Sequence, residues 1–250
     1  MKTAWLWLTL FTLQTAPAQE ASLRFEEANA LYRSGDFQKA SAAYESILSN
    51  GYEHPALYYN LGNAYFKLQN IPASILNYER ARRLAPRDED ITHNLRLANL
   101  RVLDKMEPLP QLFIKEWWNA LISLASAGGW ALSGIVALWI AAATGALLLM
   151  VRSGLIQRLS LAVSFVAVLF SVFSFIGMAQ QLHTEQSEQQ AVVFSQSVPV
   201  KSAPDAASVD LFVLHEGVKV ELLDTVGDWR KIRLPDGKIG WLPGENIQII

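Results

Sequence analysis

Three patterns of apolar and polar positions succeed one another along the chain. From about residue 21 to residue 103, apolar and small residues recur at helical spacing and predict five helices, near 22–34, 37–49, 56–69, 71–84 and 89–103. The second pattern is an absence of charge. No Asp, Glu, Lys or Arg lies between Trp117 and Val151, or between Leu159 and Leu182. Each stretch exceeds the roughly 20 residues needed to cross a bilayer, which predicts spans at 130–151 and 159–178. The third pattern is short alternating runs, with turn signals at Val226-Gly227-Asp228 and Pro235-Asp236-Gly237. It predicts strands at 191–195, 198–201, 211–214, 218–224, 229–234, 238–242 and 246–250, a set that suits a small barrel.

The connections carry orientation. Residues 152–158 hold Arg152 and Arg158 and no acid, so the positive-inside rule makes this loop cytoplasmic. Two spans then place the segments before and after them on the same, opposite side. Residues 112–129 read as an interfacial segment, with Trp117, Trp118 and Trp130 as anchors. Polar residues 179–190 read as a linker. Small residues on the spans, Ser133, Ala137, Ala141 and Gly145, then Ser160, Ala167, Ser171 and Ser174, suit close helix packing. The chain begins Met1, Lys2, then an apolar run at 4–13 and Ala16-Pro17-Ala18, the pattern of a secretory signal over 1–18. Signal and loop agree on a bacterial inner-membrane protein whose two soluble parts, 19–111 and 191–250, face the periplasm.

Residues 21–54 and 55–88 align without a gap at a spacing of 34. Ala28-Asn29-Ala30-Leu31-Tyr32-Arg33 falls on Gly62-Asn63-Ala64-Tyr65-Phe66-Lys67, and Tyr44-Glu45 on Tyr78-Glu79. With Leu61, Ala81 and the closing Pro86, this period resembles the tetratricopeptide repeat. Residues 89–103 read as the solvating helix that caps such a solenoid. The family presents a concave face from the first helix of each unit. Here that face includes Asn29, Asn60, Asn63 and Asn94, whose amides can pair with an extended peptide backbone; the alternative is four solvated helix-surface residues. Some family members clamp a peptide carboxylate with two Asn and three bases. Asn29 and Asn60 match that arrangement, but Phe25, Asp90 and Asn94 stand at the basic positions, which argues against a charged clamp.

The run Leu214-His215-Glu216-Gly217, then Gly227-Asp228-Trp229-Arg230-Lys231-Ile232, then Gly237-Lys238-Ile239-Gly240-Trp241-Leu242 resembles bacterial SH3-like domains. Trp229 and Trp241 are read as core or edge packing, with a ligand platform as the alternative. Some relatives bind cell-wall peptides.

Composition narrows the chemistry. The 250 residues carry 21 bases and 23 acids, a net charge of −2, which gives no electrostatic case for nucleic acid. With no Cys there are no disulfides, thiolate metal sites or thiol nucleophiles. His54, His93, His183 and His215 have neither metal-ligand nor triad spacing, and no phosphate loop or nucleophile elbow occurs. No catalytic residue, metal or cofactor is expected, and the chain is not read as an enzyme.

Two repeats, two spans and an SH3-like module, joined by Asn94-Leu95-Arg96-Leu97-Ala98, Asp104-Lys105, Pro110 and Trp117-Trp118-Asn119, resemble the E-type (BatE) proteins of the Bacteroides aerotolerance (Bat) operons. The resemblance implies a non-enzymatic inner-membrane scaffold. Its repeat domain would bind peptide segments of partners, among von Willebrand factor A-domain membrane proteins and a MoxR-type AAA ATPase. The alternative is an envelope sensor whose SH3-like domain binds cell-wall peptides.

Overall fold

A computed structural model of the chain describes residues 15–106, 113–151, 153–187 and 189–250. Most of the secretory signal, residues 1–14, lies outside them, as does Arg152. The molecule divides into two units. One is built by the chain up to Pro108 and again from Gln189; the other is Leu109–Glu188.

The first unit opens with five helices: α1 (Thr15–Arg33), α2 (Phe37–Ser49), α3 (Pro55–Lys67), α4 (Ile71–Leu84) and α5 (Glu89–Asn99). Local chemistry sets their ends. Asp36, Asn70 and Asp88 each accept a backbone N–H of the following first turn, and His54 does so ahead of Pro55. Gly35 and Gly51 take positive φ after α1 and α2. Two boundaries differ from expectation. α1 starts at Thr15 rather than 22, because Pro17 is tolerated in a first turn. α5 stops at Asn99 rather than 103.

From Gln190 the unit continues as seven strands: β1 (Gln190–Val193), β2 (Ser197–Lys201), β3 (Asp210–His215), β4 (Lys219–Val226), β5 (Trp229–Arg233), β6 (Ile239–Pro243) and β7 (Ile247–Ile249). They form one antiparallel sheet in the order β3-β2-β6-β5-β4-β1-β7. Gly240 lets β2 and β6 approach: a Cβ there would lie 2.4 Å from Val200 Cγ1 and 3.1 Å from the Lys201 carbonyl.

The helices and the sheet are not separate modules. Ile75, Leu76, Leu95, Ala98 and Val102 are buried in the same cluster as Val192, Val193, Val218, Val220 and Ile247. α5 lays Ile91, Leu95 and Ala98 against the second repeat, and the core it joins continues into the sheet. The polar contacts agree. Buried Glu79 bonds Arg82 at 2.5 Å and Lys219 at 3.0 Å. Asp104 accepts the His215 N–H at 2.7 Å and faces its ring Nδ1 at 2.9 Å. Arg80 and Arg83 donate to the carbonyls of Ile249 and Ile250. Edge strand β3 thus donates a hydrogen bond to Asp104, and edge strand β7 accepts one from Arg80. A shared core requires one compartment, so residues 15–106 and 189–250 lie on the same side of any membrane the chain crosses.

The second unit holds α6 (Phe113–Ile122), α7 (Ala127–Met150) and α8 (Gly154–Ser187). α7 and the Gly154–His183 part of α8 are long and apolar enough to cross a membrane. The connection is shorter than the expected 152–158 loop. Leu155 to Arg158 are good helix formers and belong to α8. The expected 179–190 linker is also helical to Ser187, since polar residues without Gly or Pro do not end a helix. At the contact of α7 and α8 the small residues Gly134, Ala137, Ala141, Ala167, Ser171 and Ser174 are buried. Ser171 donates to the Gly134 carbonyl at 3.0 Å. Trp130, expected as an interfacial anchor, is 7% exposed, packs on Gly177 and Phe173, and donates from its indole to the Ile122 carbonyl.

Candidate functional site

The four groove asparagines fall into two brackets that repeat at the 34-residue spacing. In the first, Asn29 Oδ1 accepts from the Tyr44 hydroxyl at 2.7 Å and from Asn60 Nδ2 at 2.9 Å. In the second, Asn63 Oδ1 accepts from the Tyr78 hydroxyl at 2.6 Å and from Asn94 Nδ2 at 2.9 Å. Asn94 Nδ2 also reaches the Tyr59 hydroxyl. Each bracket ties the two helices of one unit to the first helix of the next. Part of what the sequence offers as ligand chemistry is therefore structural.

Burial raises the Tyr phenols in these brackets. Tyr44 is pushed up to about 12 by burial and then by Tyr32, and Tyr78 is raised by burial above all. Both stay protonated donors across the physiological range. The space beneath Tyr78 exists because position 62 is Gly: a Cβ there would sit 2.7 Å from the ring.

Asn63 and Asn94 border an open groove. It has a volume of about 370 Å³, and Tyr32, Tyr59, Phe66, Lys67, Tyr78 and Leu97 complete its wall. Among the described residues, the Asn63 amide N–H groups and the Asn94 Oδ1 make no hydrogen bond. Sequence reasoning missed Tyr59, Phe66, Lys67 and Leu97 as groove residues. Their signal was present: they lie three or four positions from Asn63 or Asn94, on the same helix face. Asn29 and Asn60 lie outside this groove.

On the sheet, Trp229 stands opposite Pro243 and Trp241 opposite Lys231. These residues alternate with the buried Ile232, Gly240 and Leu242, so both indoles belong to the outer face and are half-buried. Lys231 Nζ lies 5.7 Å from the Trp241 ring centroid. Neither Trp is in the core. Among the described residues, no group of three or more His, Asp or Glu side chains could hold a metal.

The comparisons fit these two surfaces. The tetratricopeptide repeat model matches residues 25–89, and the bacterial SH3 domain model matches residues 196–248. No curated protein matches the chain. Both matched modules are of the binding type, joined here to two candidate membrane helices. The chain thus combines a tetratricopeptide repeat region and a bacterial SH3 domain with two candidate membrane helices.

Proposed function

We propose that the chain is a membrane scaffold whose repeat groove holds an extended peptide of a partner protein. The observation that carries this reading is the groove itself. Aromatic and aliphatic walls from Tyr32, Tyr59, Phe66 and Leu97 flank Asn63 and Asn94, whose Nδ2 and Oδ1 respectively are unpaired among the described residues. Backbone pairing by such amides with apolar side pockets suits peptide recognition without a charged clamp. The resemblance to the Bat operon proteins supplies the partners to test first, von Willebrand factor A-domain membrane proteins with a MoxR-type ATPase. The signal pattern and the Arg152 and Arg158 connection support a periplasmic soluble unit. A photo-crosslinking residue at Leu97, in native membranes, tests the reading. It should trap a von Willebrand factor A-domain protein, and the same residue at Asp224 on the sheet should not. Equal trapping from both positions, or none from Leu97, contradicts it.

The outward Trp229 and Trp241 favour a second reading, an envelope sensor that takes cell-wall peptides on β5 and β6. Full-length protein in detergent should then sediment with purified sacculi, and Trp241→Ala should stay in the supernatant.

A further inference from the structure

The repeat symmetry exposes a second surface, on the face away from the groove. Glu45 on α2 and Glu79 on α4 are equivalent positions, 34 residues apart. Glu79 is 5% exposed and is covered by the sheet, which brings Lys219 to its carboxylate at 3.0 Å. Arg82 supplies a second cation. In the first repeat the position of Arg82 is Leu48, and among the described residues no cation pairs with Glu45. Glu45 accepts only from the Tyr65 hydroxyl.

Glu45 also lies on the wall of a cavity of about 240 Å³. Leu48, Leu61, Leu76 and Phe194 supply apolar wall, and Asn77 and Gln248 supply amides. Asn77 is 4% exposed. Its Nδ2 donates to the Ala73 carbonyl at 2.8 Å, which fixes the orientation of the amide. Its Oδ1 accepts no hydrogen bond among the described residues. The one cation on this wall, Arg80, is already committed: it donates to the Ile249 carbonyl and lies 5.9 Å from the Tyr58 ring centroid.

These features describe a socket for one basic side chain. It is below the roughly 300 Å³ at which small-molecule sites begin, which matches a single anchor. Its walls are apolar where a four-carbon stem would lie, and the Glu45 carboxylate on its wall suits an ammonium head. The second repeat already shows the occupied form, with Lys219 on Glu79. We propose that this cavity is a docking socket for a lysine side chain presented by a partner protein, the counterpart in the first repeat of the Lys219 contact in the second. It is independent of the groove, so it can stand or fall without the peptide-binding reading.

The test uses the full chain in nanodiscs with nitrogen-15 only in Asn side chains, the Asn77 amide pair being assigned with Asn77→Asp. The probe is the acetyl-Gly-Lys-Gly-amide peptide. A saturable shift of the Asn77 pair is expected, with the peptide acetylated on its lysine amine binding at least roughly tenfold more weakly. Glu45→Gln, an exposed position that leaves the fold intact, should weaken the lysine peptide by the same factor. An unmoved Asn77 signal, or one moved equally by both peptides, overturns the proposal. So does an unchanged response in Glu45→Gln.

Discussion

The two repeats share a 34-residue register and differ in what covers them. The first packs on the first helix of the second: Ala28, Ala40, Tyr44 and Ile47 share a cluster with Leu57 and Leu61. The second opens its outer face and shares a core with the sheet through Ile75, Leu76, Leu95 and Val102. The position that is Ile75 in the second repeat is Ser41 in the first, and Arg82 replaces Leu48. One helical hairpin can thus share its core with the next repeat or with the sheet, according to a few residues on its second helix. A solenoid of two units would otherwise leave apolar surface at its end. Here α5 covers part of it and the sheet, reached after a detour of the chain through α6, α7 and α8, covers more.

Ile75→Ala gives the largest expected effect. It removes a fully buried side chain from the shared core and should cost about 2–5 kcal/mol. Ser41→Ala, at the matching position, should leave the melting temperature nearly unchanged. Thermal melts of the full chain in detergent compare the two, and equal losses would erase the distinction between the repeats.

Next in size is Gly62→Ala. The added Cβ would meet the buried Tyr78 ring at 2.7 Å. Overpacking of about 1–3 kcal/mol should outweigh the roughly 1 kcal/mol gained in helix propensity. In the first repeat the matching residue is already Ala28, so only the second repeat has this requirement. A Gly62→Ala protein with a raised urea midpoint would contradict the account.

The tyrosines give a pH dependence. Burial raises Tyr44 to about 12 and raises Tyr78 as well, from an ordinary value of 10.0. Above pH 10 the unfolded chain loses phenol protons that the folded state retains. Stability is therefore fully present below about pH 10 and falls as the pH rises through about 12. Urea midpoints measured against pH should show this decline, shallower in Tyr44→Phe. A midpoint constant to pH 12 would refute it.

The smallest effect is a gain. Gln69 has φ +61, where the first repeat places Gly35 at φ +84. Gln69→Gly should relieve about 1 kcal/mol of left-handed strain, seen as a modest rise in melting temperature. A fall would mean that the Gln69 side chain contributes more than its backbone loses.

Much of this was legible in the sequence. The 34-residue period located the helices because caps and small residues are local signals. Alternation located the strands for the same reason. Charge-free stretches located α7 and the apolar part of α8. The union of the repeats with the sheet was not legible, because Ile75 and Val102 read as ordinary helix-core residues and their partners lie a hundred residues away. Trp130 read as an anchor since Trp is common at membrane interfaces, whereas its packing on Gly177 is a long-range fact. The groove asparagines were found by position, but their roles were not. Whether an amide is spent on a Tyr44 or Tyr78 hydroxyl depends on helix spacing that only the fold reveals.

The central claim is that the second repeat and the sheet are one cooperative unit. Hydrogen exchange of the full chain in nanodiscs, wild type against Ile75→Ala, tests it most directly, because exchange is read segment by segment. The account predicts that protection falls in β1 and β4 together with α4 and α5, while α7 and α8 keep theirs. Faster exchange confined to the helices, with β1 and β4 unchanged, would contradict it.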